Sequence, residues 1–259
     1  MLGIDWKLIE VFMLVFLRTG TAVALMPVFG YPAVPVQIKA GLAFFLALIL
    51  TPLASMHPAA APPGVIAMAG AAASEVLVGM VIGLTTALVL IGAEFAGSVI
   101  GVQMGFGMVN VIDPQFEEQI SIIGQFQYLV ALVIFITLDF HHHFIMALGD
   151  SFRIIPLGGA IFPGDLTMTY ARLSADVLVL AMKLAAPVVA MVLLAEIALA
   201  FMARMMPQMN VFIVGFPVRI GVGLIGLSVC WPLFSYVIIN FFKIVENQLM
   251  KMILMMGAR

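Results

Sequence analysis

The residues in this chain that could do chemistry are charges set into apolar stretches. Arg18 interrupts a run from Val11 to Phe29, and Glu75, Glu94, Lys183 and Glu196 sit in or beside other such runs. An ionised group at bilayer depth costs several kcal/mol unless it is paired or faces protein or water, so each is a functional candidate. Two readings stay open. The charges line a path for protons or ions, with Arg18 facing a pore or a partner subunit, or they are structural pairs, which for Glu75, Glu94, Lys183 and Glu196 would be interface ion pairs between chains. For Arg18, helical spacing offers Glu10, two turns earlier, as a partner. No two carboxylates recur at a catalytic spacing and no nucleophile–base pair is suggested, so enzymatic activity is not expected. The run His141-His142-His143 invites a metal reading. Adjacent residues on a helix point about 100° apart, and only Asp139 lies at ligand spacing. It reads as a polar cluster at a helix end, with no metal and no cofactor expected.

Two further segments combine helix breakers with polar side chains. The first is Gly101-x-Gln103-x-Gly105-Phe106-Gly107-Met108, continuing through Asn110, Asp113, Pro114, Gln115 and Phe116. Glycine lets the chain leave helical geometry, and proline prevents its resumption. Irregular backbone at membrane depth survives only inside protein or beside water, so this segment is expected to be covered by partners or to line an aqueous path. It is not a phosphate loop, because no Gly-Lys-Ser/Thr follows it. The second segment holds Glu196, Arg204, Pro207-Gln208-x-Asn210-Val211-Phe212, and Phe216-Pro217-x-Arg219. It reads as the tip of a helical hairpin whose buried polar groups need partners.

The elements that must carry these residues are apolar helices. Of the 259 residues, 64% are apolar and 9% charged, against roughly a quarter charged in an ordinary soluble domain. Such a chain cannot coat itself with polar side chains, so its solvent is lipid or partner protein. The net charge of −2 offers no basic surface for nucleic acid. The fold class is therefore all-α, an integral membrane protein. Since spanning helices need about 20 mainly apolar residues, the expected helices are Leu8–Met26, a short one from Ala40 to about Leu50, Val76–Ala93, Phe95–Ile112, Ile120–Leu138, Val177–Met206 and Val211–Phe242. Residues 150–176 are expected to form the main loop, with Asp176 capping the following helix, and an amphipathic tail ends the chain. Gly97 and Gly101, four residues apart, suggest a close packing surface. The N-terminus lacks a cleavage signal and reads as a helix that stays.

In order along the chain, Arg18 with Pro27-x-Phe29-Gly30, Val34-Pro35 and Lys39, then Glu75 with Gly79 and Gly83, then Gln103-x-Gly105-x-Gly107 with Asp113, then Arg204-x-x-Pro207-Gln208-x-Asn210-Val211-Phe212 with Phe216-Pro217-x-Arg219, resemble the FliR family of flagellar export-gate proteins. The injectisome counterpart is the T component of type III secretion systems. Arg219 stands where the family often has Lys, which keeps the charge. The resemblance implies a subunit, single in copy, that assembles with the P and Q components and other export-apparatus membrane proteins in the bacterial inner membrane, at a flagellar basal body or injectisome base. Their long helical hairpins pack into a gate that passes unfolded secreted proteins. Residues 1–175 would correspond to a P-like part and 176–259 to a Q-like hairpin. By position, Gly105 to Gln119 would be the gate loop, with Gly105, Phe106, Gly107, Met108, Asn110, Asp113, Pro114 and Phe116 in it. Arg18, Glu75, Glu196, Arg204, Pro207, Gln208, Asn210, Phe212, Pro217 and Arg219 would serve assembly. The competing reading is a transporter or ion-conducting protein using Arg18, Glu75, Glu94 and Glu196, although no internal inverted repeat is visible.

Overall fold

The computed structural model describes residues 6–31, 33–55, 64–106, 121–206, 208 and 211–257, and among them it contains helices and no strand. The helices are α1 (Trp6–Leu25), α2 (Pro27–Gly30), α3 (Val36–Ser55), α4 (Val65–Met104), α5 (Ile122–Thr137), α6 (Phe140–Ile154), α7 (Gly164–Met205) and α8 (Val211–Gly257). Five are long and apolar enough to cross a membrane, or six if the bent pair α5 and α6 counts as one span. The all-α membrane architecture follows from this.

Several boundaries differ from expectation, each for a physical reason. The short second helix is a full 20-residue α3, with Pro52 inside it. The Thr51 hydroxyl donates to the Ala47 carbonyl at 2.7 Å just before the proline, and membrane helices tolerate proline within a span. The stretches on either side of Glu94 are one 40-residue helix, α4. Glutamate is a good helix former, and one charge does not end a helix. Residues 150–176 are mostly helical: α6 runs to Ile154 and α7 begins at Gly164, so Asp176 lies within α7 rather than capping it. The connection between them is fixed by a Gly158 φ of +67° and by the Ile161 N–H donating to the Met256 carbonyl at 2.9 Å. Finally, α8 continues to Gly257, absorbing the tail and two prolines, Pro217 and Pro232.

The chain forms two compact units. The first comprises residues 1–88, 136–174 and 243–259, the second 89–135 and 175–242. In the first, α1 and α4 pack closely, with Leu14, Val15, Ala22, Val78 and Ile82 buried. In the second, Val89, Ala93, Ala96 and Ile100 of α4 are buried together with Leu180, Leu184, Val188 and Val192 of α7. Much apolar surface stays uncovered. α3 buries only Ala43, Ala47, Thr51 and Ala54, leaving Phe45 at 64% and Ile49 at 70% exposure.

Candidate functional site

Arg18 lies on the face of α1 that meets α4, and it is wholly buried. Its Nε donates to Glu75 Oε2 at 2.5 Å and its Nη2 to Glu75 Oε1 at 3.1 Å. Nη1 donates to the Ser151 carbonyl at 3.0 Å and the Ser151 hydroxyl at 3.2 Å, and Nη2 also to the Ile155 carbonyl at 3.3 Å. These contacts occupy all five N–H donors that a guanidinium carries. The Phe152 ring lies 4.3 Å from the guanidinium carbon, where a cation is attracted to the π-face. Glu75, also fully buried, accepts a further hydrogen bond from the Gly158 N–H at 2.7 Å. The Ser151 hydroxyl donates its own proton to the Leu148 carbonyl at 2.7 Å. The pair is thus desolvated, bidentate and hydrogen-bonded beyond itself, the conditions under which a buried charge pair can persist.

The local sequence explains why these helices come so close. Glu75, Gly79 and Gly83 recur every four residues, which puts them on one face of α4. A Cβ on Gly79 would lie 2.5 Å from the Arg18 carbonyl oxygen, and one on Gly83 would lie 2.6 Å from the Leu25 Cβ. Missing side chains let the backbones approach, and the same face brings the carboxylate to the guanidinium. Glu10, the partner suggested by spacing, is not the one used. Among the partners found, Ser151, Ile155 and Gly158 escape sequence reasoning because their glycine- and proline-containing segment reads as loop.

The second polar cluster belongs to the second compact unit. Glu196 of α7 places Oε1 3.1 Å from Arg219 Nε of α8, while Gln103 of α4 donates to its Oε2 at 3.4 Å. The Arg219 Nε–H makes no aligned hydrogen bond, so this is a charge contact. Both charged side chains are about one-third exposed. Immediately beyond Gln103, Met104 is buried and Gly105 ends α4 at φ +94°. Phe106 completes the turn, its N–H donating to the Gly101 carbonyl at 3.0 Å. Gly97 and Gly101 pack against the start of α5: a Cβ on Gly97 would lie 2.6 Å from the Ile123 carbonyl oxygen. Gln103 stands out as a polar residue, but nothing in the sequence ties it to Glu196.

The remaining candidates are not gathered into one site. Arg204 is exposed in the last turn of α7, Gln208 is an exposed turn residue, and Pro217 is exposed within α8. Phe212 is helical. Gly107, Met108, Asn110, Asp113, Pro114, Phe116, Pro207 and Asn210 lie outside the described residues. Arg18 and Glu75 fall in one compact unit, Glu94 and Glu196 in the other. The histidine run opens α6. There Asp139, in the left-handed region at φ +55°, faces His142 at 3.3 Å, and His143 faces Glu246 at 2.9 Å. Ligand atoms of Asp139, His141 and His142 lie within 4.8 Å of one another, closer than helical spacing alone suggests.

Comparison with known proteins adds an independent line. Residues 9–245 match the family described as bacterial export proteins, family 1. A flagellar biosynthetic protein FliR from Bacillus subtilis is 35% identical, covering 97% of each chain. That of Caulobacter vibrioides is 31% identical over 83% of this chain and 86% of its own, and that of Escherichia coli 26% over 85% and 83%. A helical membrane chain matched over nearly its whole length in this way belongs to the bacterial export proteins, family 1, the family of the flagellar biosynthetic protein FliR.

Proposed function

We propose that this chain, a multi-pass inner-membrane component of the flagellar export apparatus, forms with the P and Q components the channel through which unfolded proteins cross the membrane. The observation that carries the reading is helix length. α4, α7 and α8 contain 40, 42 and 47 residues, or about 60–70 Å at 1.5 Å per residue, against a hydrocarbon core of about 30 Å. Large apolar side chains stay exposed along all three, among them Leu77 and Val102 on α4, Leu194 and Phe201 on α7, and Ile225 and Val229 on α8. Lipid alone cannot cover such lengths, so partner proteins take the rest. In this reading residues 1–175 form the P-like part and 176–259 the Q-like hairpin, and the chain is a single copy among several P and Q subunits.

Within that assembly, Gly105 to Gln119 serves as the gate loop, and Phe106, Met108, Val109, Val111, Ile112 and Phe116 supply an apolar surface that excludes water from a constriction. Arg18 with Glu75 and Glu196 with Arg219 serve assembly, as do Arg204, Pro207, Gln208, Asn210, Phe212 and Pro217 at the hairpin tip.

The test is affinity purification of the tagged chain from membranes expressing the export genes. Two other small membrane proteins should co-purify, in several copies per tagged chain. A monodisperse, protease-resistant monomer from the same membranes would overturn the reading. Deleting residues 107–119 should leave the complex intact but leaky to ions, as read by conductance in planar bilayers; an intact complex as tight as wild type assigns closure elsewhere.

A further inference from the structure

The two charge clusters are built to different standards. Arg18 spends every donor on buried partners, whereas Arg219 meets Glu196 through one unaligned contact at 3.1 Å, with both side chains about one-third exposed. The Gln103 bond to the same carboxylate, at 3.4 Å, is long. A partly exposed pair of this kind contributes little to stability, so stability does not account for it. Its position does. Over three consecutive residues the end of α4 and the glycine after it are held by α7 and α8. Gln103 is bonded to Glu196 of α7, and Met104 fills the space where a Cβ on Gly223 of α8 would come within 2.5 Å of its side chain. The Phe216 ring of α8 stands 3.2 Å from where a Cβ on Gly105 would be.

We infer that Gln103, Glu196 and Arg219 form a releasable catch that holds the Gly105–Phe106 turn against α7 and α8 at rest and lets it go during export. Glu196 is the central positioning residue, because its two oxygens serve the two neighbouring helices separately. The inference rests on the export-gate reading. Weak contacts between partly exposed side chains suit a contact that must break and re-form, and the saturated Arg18 network does not.

The catch is tested from both sides in the assembled complex. For holding, Met104→Cys and Gly223→Cys are combined with Cys230→Ser, which removes the only native cysteine, and cross-linked with added oxidant. Assembly should be unchanged, secretion should fall several-fold under oxidation, and reductant should restore it. Secretion at the reduced level from a fully cross-linked complex would overturn the catch. For release, Gln103→Leu, at a residue given no part in assembly, and Glu196→Leu, in the fraction of complexes that assembles, should lower the cross-link yield and raise resting ion conductance. The exchange Glu196→Arg with Arg219→Glu should return both toward wild type, because Gln103 can donate or accept. A conductance and cross-link yield unmoved by either leucine variant would also overturn it. The deletion of residues 107–119 separates the two levels. If that deletion leaks while the leucine variants do not, only the catch fails; if the deletion is also tight, the gate reading fails and takes the catch with it.

Discussion

A guanidinium buried without water must be satisfied by protein, and Arg18 is satisfied from two other chain segments, Glu75 in α4 and residues 151–155 at the end of α6. Truncating one partner of such a pair leaves the other charge stranded, at a cost of about 3–5 kcal/mol. Arg18→Ala and Glu75→Ala are therefore expected to lower the thermal midpoint of the detergent-solubilised complex sharply. The double variant should cost less than the sum of the two, since no stranded charge remains. Arg18→Lys should fall between wild type and Arg18→Ala, because an ammonium has three donors and cannot grip the carboxylate in a fork. Additive losses in the double variant would remove the pair from the account. Both charges are legible as anomalies in apolar sequence. Their pairing is not, since 57 residues separate them and no local rule reaches that far.

Close helix packing is written into α4 twice, as Gly79-x-x-x-Gly83 toward α1 and Gly97-x-x-x-Gly101 toward α5. At Gly79 and Gly97 a side chain would strike backbone, which cannot rotate away. Gly79→Val and Gly97→Val should each reduce assembled complex on native gels, whereas Gly41→Ala and Gly70→Ala, where a Cβ meets nothing within 4 Å, should leave it unchanged. A harmless Gly97→Val would show that α4 and α5 do not need this approach. The four-residue glycine spacing is legible in the amino-acid order, and so is the apolar helical class. Helix ends are not. Reading Glu94, Pro52 and Asp176 as punctuation divides or shortens helices that run through them, because a single polar or proline residue is cheaper to absorb than a helix is to restart.

For the molecule as a whole, the uncovered apolar surface sets behaviour outside the complex. Patches beyond a few hundred Å² mark interaction sites or aggregation liabilities, and here they run along helices longer than any bilayer is thick. Expressed without the proposed P and Q partners, the chain should be degraded or migrate as heterogeneous aggregate in detergent gel filtration, and co-expressing them should restore a single species. The proposed gate loop and part of the proposed hairpin tip fall on residues outside the described ones, and the gate role is what the family resemblance implies.

The span of the Arg18 network along the chain also dictates an order of events at the ribosome. Glu75 lies 57 residues after Arg18, and Ser151 lies 133 after it. At about 5–20 residues per second, synthesis delivers them some 3–11 s and 7–27 s later. During that delay the nascent α1 carries an unpaired cation that lipid rejects, so it must wait at the headgroup layer or inside the insertase. Nascent chains stalled before Glu75 emerges should therefore leave a cysteine beside Arg18 open to a membrane-impermeant maleimide, and chains long enough to include α6 should protect it. Equal labelling at both lengths would mean that α1 settles in the bilayer unaided and that the network closes only as a final adjustment.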